Sequence, residues 1–275
     1  MKRWPWAAGG WTIVLAVVVL VPALLERFLG ALFPGQSPLL YPRADLASLT
    51  AEHLGMVLVS STLAALTGVG MGVAVTRPWG ALFRPLGDRL AALGQTFPPA
   101  AVLALTIPFL GFGFGPTVLG LWLYGTLPVL RGTLTGLEQV SPAVLDAGRG
   151  LGFGPWSLFF RVEGPLAMPY LWAGLRSSVV VNVGTAALGA TVGAGGLGAP
   201  IVSGLVTQNY SFLLEGAIAS GLLALVVDAW FGVLTFSVSS QEYPTSRTPR
   251  PPGRGLRKKP SPPASLRGTR SPEPL

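Results

Sequence analysis

The sequence predicts an all-α integral membrane protein with about six transmembrane helices, and three observations carry that prediction. Half of the 275 residues are hydrophobic, only 11% are charged, and the apolar residues fall in long uninterrupted runs. Crossing about 30 Å of hydrocarbon as a helix takes roughly 20 apolar residues, with the backbone polar groups satisfied inside each segment. Six stretches approach that length: 11–25, 54–75, 90–110, 116–130, 169–192 and 212–238, the first and fourth being short.

Met1-Lys2-Arg3 before the first apolar run has the outline of a secretory signal. Glu26-Arg27 then follows without a small-x-small cleavage site, so an uncleaved first span is expected. Glu52 and His53 precede the second run, where His53 reads as a polar residue at the membrane interface. Pro98, Pro99 and Pro108 interrupt the third; they remove backbone donors and force kinks tolerated only against protein or a water-filled cavity, which points to a pathway-lining span. Asn182, Thr185 and Asp228 are the polar residues set deepest in the last two spans. A carboxylate there costs at least about 2.5 kcal/mol unless paired or hydrated, and Arg176, Ser177 and Ser178 lie at a depth similar to that of Asp228. Pro98, Pro99, Asn182, Thr185 and Asp228 are therefore candidates either for lining a pathway or for helix packing.

The chain divides into an N-terminal span and external loop (1–53), a core (54–238) and a tail (239–275). With nine prolines, eight basic residues and few large apolar side chains, the tail is expected to be disordered and held near anionic lipid headgroups. Cytoplasmic loops retain Lys and Arg, and placing the N-terminus inside puts 17 of the 19 basic residues on the inner side, leaving Arg27 and Arg43 outside. Both termini are thus expected to be cytoplasmic in a multi-pass inner-membrane protein. This bias accounts for the net charge of +8 without nucleic acid as a partner.

The absence of cysteine excludes disulfides and thiolate metal sites, and a lone histidine makes no metal cluster. No catalytic residue, metal or cofactor is predicted, because no nucleophile stands with a base. The phosphate-cradling motif G-x-x-x-x-G-K-[ST] is missing, and the only lysines are Lys2, Lys258 and Lys259, so the chain does not hydrolyse ATP by that mechanism. Gly193 to Gly198 match the letters G-x-G-x-x-G, but they follow a membrane span and precede Ala199-Pro200, where a dinucleotide site needs a strand before and a helix after.

Between the fourth and fifth spans, 140–169 forms a polar loop rich in Gly and Pro. Ser141-Pro142 reads as a helix start, with Ser as N-cap and Asp146 near the positive helix end, while Ala143, Val144 and Ala147 form a small apolar face. Gly152-Phe153-Gly154-Pro155 then breaks the helix before a second apolar segment, 156–162. Asp146-Ala147-Gly148, Gly152, Val162 and Pro165 stand at the spacing E-A-A-x3-G-x9-I-x-L-P, and the loop resembles the EAA loop of ABC importer permeases. Asp146 replaces the usual Glu, Gly148 the second Ala and Gly164 the Leu; each Gly costs a helix up to about 1 kcal/mol relative to Ala, which implies a less rigid docking helix.

That resemblance implies the type I ABC importer permease fold and a loop, carried by Ala143, Asp146, Ala147, Gly148, Gly152, Val162 and Pro165, that docks on a separate ATP-binding subunit. It implies as further partners an external substrate-binding protein and a second permease copy or sister permease. Glu52-His53-Leu54, Gln95-Thr96-Phe97-Pro98, the run Leu123 to Arg131, and Val192-Gly-Ala-Gly-Gly-Leu-Gly are similar to the osmoprotectant branch, which moves glycine betaine, choline and related compounds. The alternatives are a permease for another small solute such as an amino acid, or a membrane structural or channel-like protein that uses the loop as a protein contact.

Overall fold

The computed structural model describes residues 5–93 and 98–239, which are helical apart from turns and short connections. In chain order the helices are α1 (Pro5–Leu20), α2 (Pro22–Leu32), α3 (Leu46–Thr76), α4 (Arg84–Leu93), α5 (Pro99–Leu110), α6 (Phe114–Glu138), α7 (Pro142–Gly150), α8 (Pro155–Leu158), α9 (Gly164–Ala186), α10 (Gly198–Thr207) and α11 (Tyr210–Ser239). The tail 239–275 lies outside the described residues except for Ser239, which ends α11.

Among the described residues three helical stretches are long and apolar enough to cross a membrane: Leu46–Thr76, Pro155–Val192 and Tyr210–Thr235. A fourth exists if the bent pair Trp6–Leu20 and Pro22–Leu32 is one span. That pair corrects the expectation of a single first span over 11–25. Its two parts meet at 83°, because Pro22 lacks an N–H for the preceding turn and opens a new helix at its first position. The second span begins at Leu46, eight residues ahead of the predicted start. There Asp45 caps it by accepting from Ser48 N–H (3.3 Å).

The predicted third span, 90–110, is represented by the end of α4 and by α5, with 94–97 outside the described residues. Pro98 is the N-cap of α5 and Pro99 its first residue, so they start a helix where no donor is lost and do not kink one. Only Pro108 sits inside it. At 12 residues α5 rises about 18 Å, too little to cross alone. α6 runs past its predicted ends at both sides, tolerating Pro128 in its interior.

The centre of the molecule is the packing of α6 against α3 and α9, around the fully buried Met56, Val57, Leu121 and Val183. Lipid supplies no hydrophobic force between helices, so close approach and polar contacts hold them. A Cβ on Gly132 would stand 2.9 Å from Gly174 Cα, and one on Gly72 2.7 Å from Thr133 Cβ; both contacts require glycine. Polar bonds join the same helices. Asn182 Nδ2 donates to Ser61 Oγ (3.1 Å) and Ser60 Oγ (3.3 Å), Ser178 Oγ donates to the Gly125 carbonyl (2.7 Å), and Trp122 Nε1 donates to Thr67 Oγ1 (3.0 Å).

His53, expected as a polar residue near the membrane interface, is fully buried among the helices. Its Nε2–H donates to the Val183 carbonyl (2.8 Å), and Glu52 Oε2 accepts from Gly196 N–H (2.9 Å). Gly195 and Gly196 have φ of 76° and 67°, and Cβ atoms there would stand 2.5 Å from Glu52 Oε2 and 2.8 Å from Met56 Cε. The glycine-rich stretch is thus a left-handed turn closed over Glu52 and His53. Nearby, the loop before α3 is tied to the start of α11, with Tyr41 N–H donating to Glu215 Oε2 (2.7 Å) and Ser211 Oγ to the Leu39 carbonyl (2.6 Å).

Candidate functional site

The loop between α6 and α9 is built around α7. Ser141 occupies the N-cap and Pro142 the first position, but the Ser141 hydroxyl makes no capping bond; the backbone carbonyl of Ser141 alone receives Val144 and Leu145 N–H. Asp146 falls beyond the first turn, so its carboxylate accepts from Arg149 (2.8 Å), in an exposed pair worth at most about 1 kcal/mol. Ala143, Val144, Asp146 and Ala147 are all exposed. They give α7 a free outer face.

Gly148 forms the opposite, buried face. A Cβ there would lie 2.6 Å from Leu158 Cδ1, so the glycine lets the following segment seat closely against α7. The helix then ends in paired closing bonds, Phe153 N–H to the Gly148 carbonyl (3.1 Å) and Gly152 N–H to the Arg149 carbonyl (2.9 Å). Such a pair requires a left-handed residue between, and Gly152 has φ 82°. Gly152 therefore fixes the turn through its backbone angle; the space around its Cβ position is open.

Beyond the turn the chain enters Phe159–Glu163, one wide π turn continuous with α8 and α9. Val162 is half-buried at the edge of the Gly148 contact, and Pro165 is exposed in the first turn of α9. Glu163 is buried and takes two bonds from Arg77 at the end of α3, Nη1 to Oε1 (3.2 Å) and Nη2 to Oε2 (2.5 Å). The Arg77 guanidinium also lies 4.9 Å from the centre of the Phe159 ring. A second pair, Arg84 with Glu138, links α4 to the end of α6. The loop is thereby tied at its far end to α3 and at its near end to α4.

The remaining predicted residues do not form one site. Asn182 is fully buried at the α3–α6–α9 contact and Thr185 is buried one turn on. Asp228 lies elsewhere, accepting from Arg176 Nε (2.7 Å) and Nη2 (2.5 Å) between α9 and α11. Pro98 and Pro99 are separate from both, at the start of α5. Sequence reading missed the Arg77–Glu163 pair because its partners lie 86 positions apart. The signal available was a charged residue at each end of adjoining apolar runs.

Residues 64–240 match the family model of the binding-protein-dependent transport system inner membrane component. The chain belongs to this family. It is 34% identical to the osmoprotectant import permease protein OsmY of Salmonella typhimurium, over 80% of this chain and 93% of that one. It is also 37% identical to the glycine betaine/carnitine/choline transport system permease protein OpuCB of Bacillus subtilis, over 65% of this chain and 82% of its relative. Among solved structures, an inward-facing MetNI methionine ABC transporter superposes with a TM-score of 0.63 at 23% identity, covering 70% of this chain and 95% of the other. That likeness establishes the ABC permease fold. As a binding-protein-dependent permease, the chain is a multi-pass transport subunit of the inner membrane.

Proposed function

We propose that this chain is the permease subunit of an ABC importer for osmoprotectants such as glycine betaine or choline, driven by ATP hydrolysis in a separate subunit. The observation that carries the reading is the likeness, along nearly their whole length, to permeases of osmoprotectant import. The exposed face of α7, made by Ala143, Val144, Asp146 and Ala147, is the surface that docks on the ATPase. Gly148, Gly152, Val162 and Pro165 shape the turn behind it. Closure of two ATPases pushes α7, and the Arg77–Glu163 pair transmits that push to α3 and α9 as a rigid-body motion. The spans then open outward, where an external binding protein releases its solute.

Both termini are cytoplasmic in this reading, a second permease copy or sister permease completes the pathway, and the positive-inside bias sets the orientation. The likeness to methionine and amino acid transporters is one of fold and carries no substrate. Calorimetry on the cognate binding protein tests the substrate class: binding of a quaternary ammonium supports it. Tight binding of an ordinary amino acid with no quaternary ammonium bound overturns it in favour of an amino acid importer.

A further inference from the structure

A groove of about 290 Å³ opens between α6 and α9, lined by Pro128, Arg131 and Thr135 on one side and Tyr170, Ala173 and Ser177 on the other. It exists because Gly132 and Gly174 bring the two backbones into contact, leaving the larger residues as walls. Arg131 stands seven residues before Glu138, and Tyr170 six residues after Gly164. At 1.5 Å per residue Arg131 and Tyr170 stand roughly 10 Å along their helices from the Arg84–Glu138 and Arg77–Glu163 pairs, with Thr135 nearer to them. It therefore runs along α6 and α9 away from the end that carries the loop between them.

The charge in this groove is uncompensated. Arg77, Arg84, Arg149 and Arg176 each pair with a carboxylate, and Arg161 lies over the Phe153 ring. Arg131 is exposed and forms no ion pair or hydrogen bond with any described residue. Helix packing does not account for it, since α6 and α9 meet through their glycines. An unpaired guanidinium inside a membrane protein faces water or an anionic group. Tyr170, 40% exposed, offers an aromatic face in the same groove, and Ser177 and Thr135 offer hydroxyls.

Resting on the osmoprotectant reading above, we propose that this groove is a transit site for zwitterions. Arg131 takes the carboxylate of glycine betaine through its planar fork, while the Tyr170 ring faces the quaternary ammonium. The same fixed positive charge opposes choline, a net cation without a carboxylate. Arg131 is thus a specificity-determining residue, favouring zwitterionic over cationic osmoprotectants on the way through the permease.

The test uses the complete importer, permease with its binding protein and ATPase, in proteoliposomes supplied with labelled glycine betaine and labelled choline. Arg131→Gln is expected to lower the ratio of glycine betaine to choline transport, as kcat/KM, by about tenfold, the scale of one lost charge-assisted hydrogen bond. Arg131→Lys keeps the charge without the fork and is expected to recover part of the ratio. Should Arg131→Gln fail to reach the membrane, Arg131→Lys decides alone: a raised KM for glycine betaine with choline unchanged supports the site. An unchanged ratio, or equal loss for both solutes, overturns it while leaving the osmoprotectant reading in place. A wild-type importer that moves neither solute overturns that reading and the transit site with it.

Discussion

Gly152 and Glu163 are the two residues on which the geometry of the loop between α6 and α9 most depends, for different reasons. At φ 82° a side chain on residue 152 costs about 1–2 kcal/mol of backbone strain and opens the paired bonds that end α7. Gly152→Leu is therefore expected to reach the membrane normally but lose most stimulation of ATP hydrolysis by the partner subunit; wild-type stimulation in reconstituted vesicles would remove α7 from the coupling role. Glu163 is held by a bidentate bond from Arg77, whose side chain keeps 23% exposure. Glu163→Gln leaves that guanidinium half-satisfied and is expected to destabilise the protein by about 2–3 kcal/mol, below the range of a fully buried pair. Thermal unfolding in detergent reads this directly, and an unchanged midpoint would show the pair to be incidental. The spacing of the loop was legible in the sequence, since Gly152 stands where a left-handed turn must. The reason for Gly148 was not, because it depends on Leu158 seating against α7, and neither was Glu163, whose partner closes only in three dimensions.

For the helices, composition located the apolar runs but not where they start and bend. Pro22 divides the first run, and Pro98-Pro99 open a helix that the sequence reading had them interrupt. Proline acts oppositely at a helix start and in a helix interior, and hydrophobicity alone does not tell the two apart. The second predicted span, α3, begins early at the Asp45 cap and accommodates Glu52 and His53, which precede the apolar run, because they bond Gly196 N–H and the Val183 carbonyl. The contact of α6 with α9 depends on Gly132 and Gly174, where an added Cβ meets backbone that has no room to move. Gly132→Val is expected to separate these helices and lower the unfolding temperature by more than Gly9→Val, at a glycine of α1 with nothing within 4 Å of its Cβ position. Equal midpoints for the two variants would contradict tight packing at Gly132.

On the scale of the whole molecule, family and fold were legible because the loop spacing and the glycine-rich turn are local in sequence. The distribution of Lys and Arg leads to the expectation that residues 34–51 lie outside. Without native cysteines, a single cysteine at the exposed Ser37 is expected to react with an impermeant maleimide in intact cells; reaction only after the inner face is opened would invert the topology. The central claim is that this chain converts a partner's ATP hydrolysis into solute movement. It is tested most directly by glycine betaine uptake into proteoliposomes holding the permease and ATPase, with binding protein outside and ATP within. Uptake that needs all four components, together with ATP hydrolysis that rises several-fold when loaded binding protein is added, is the predicted result. Hydrolysis by the ATPase at the same rate with and without this chain, and no accumulation of solute, would contradict it.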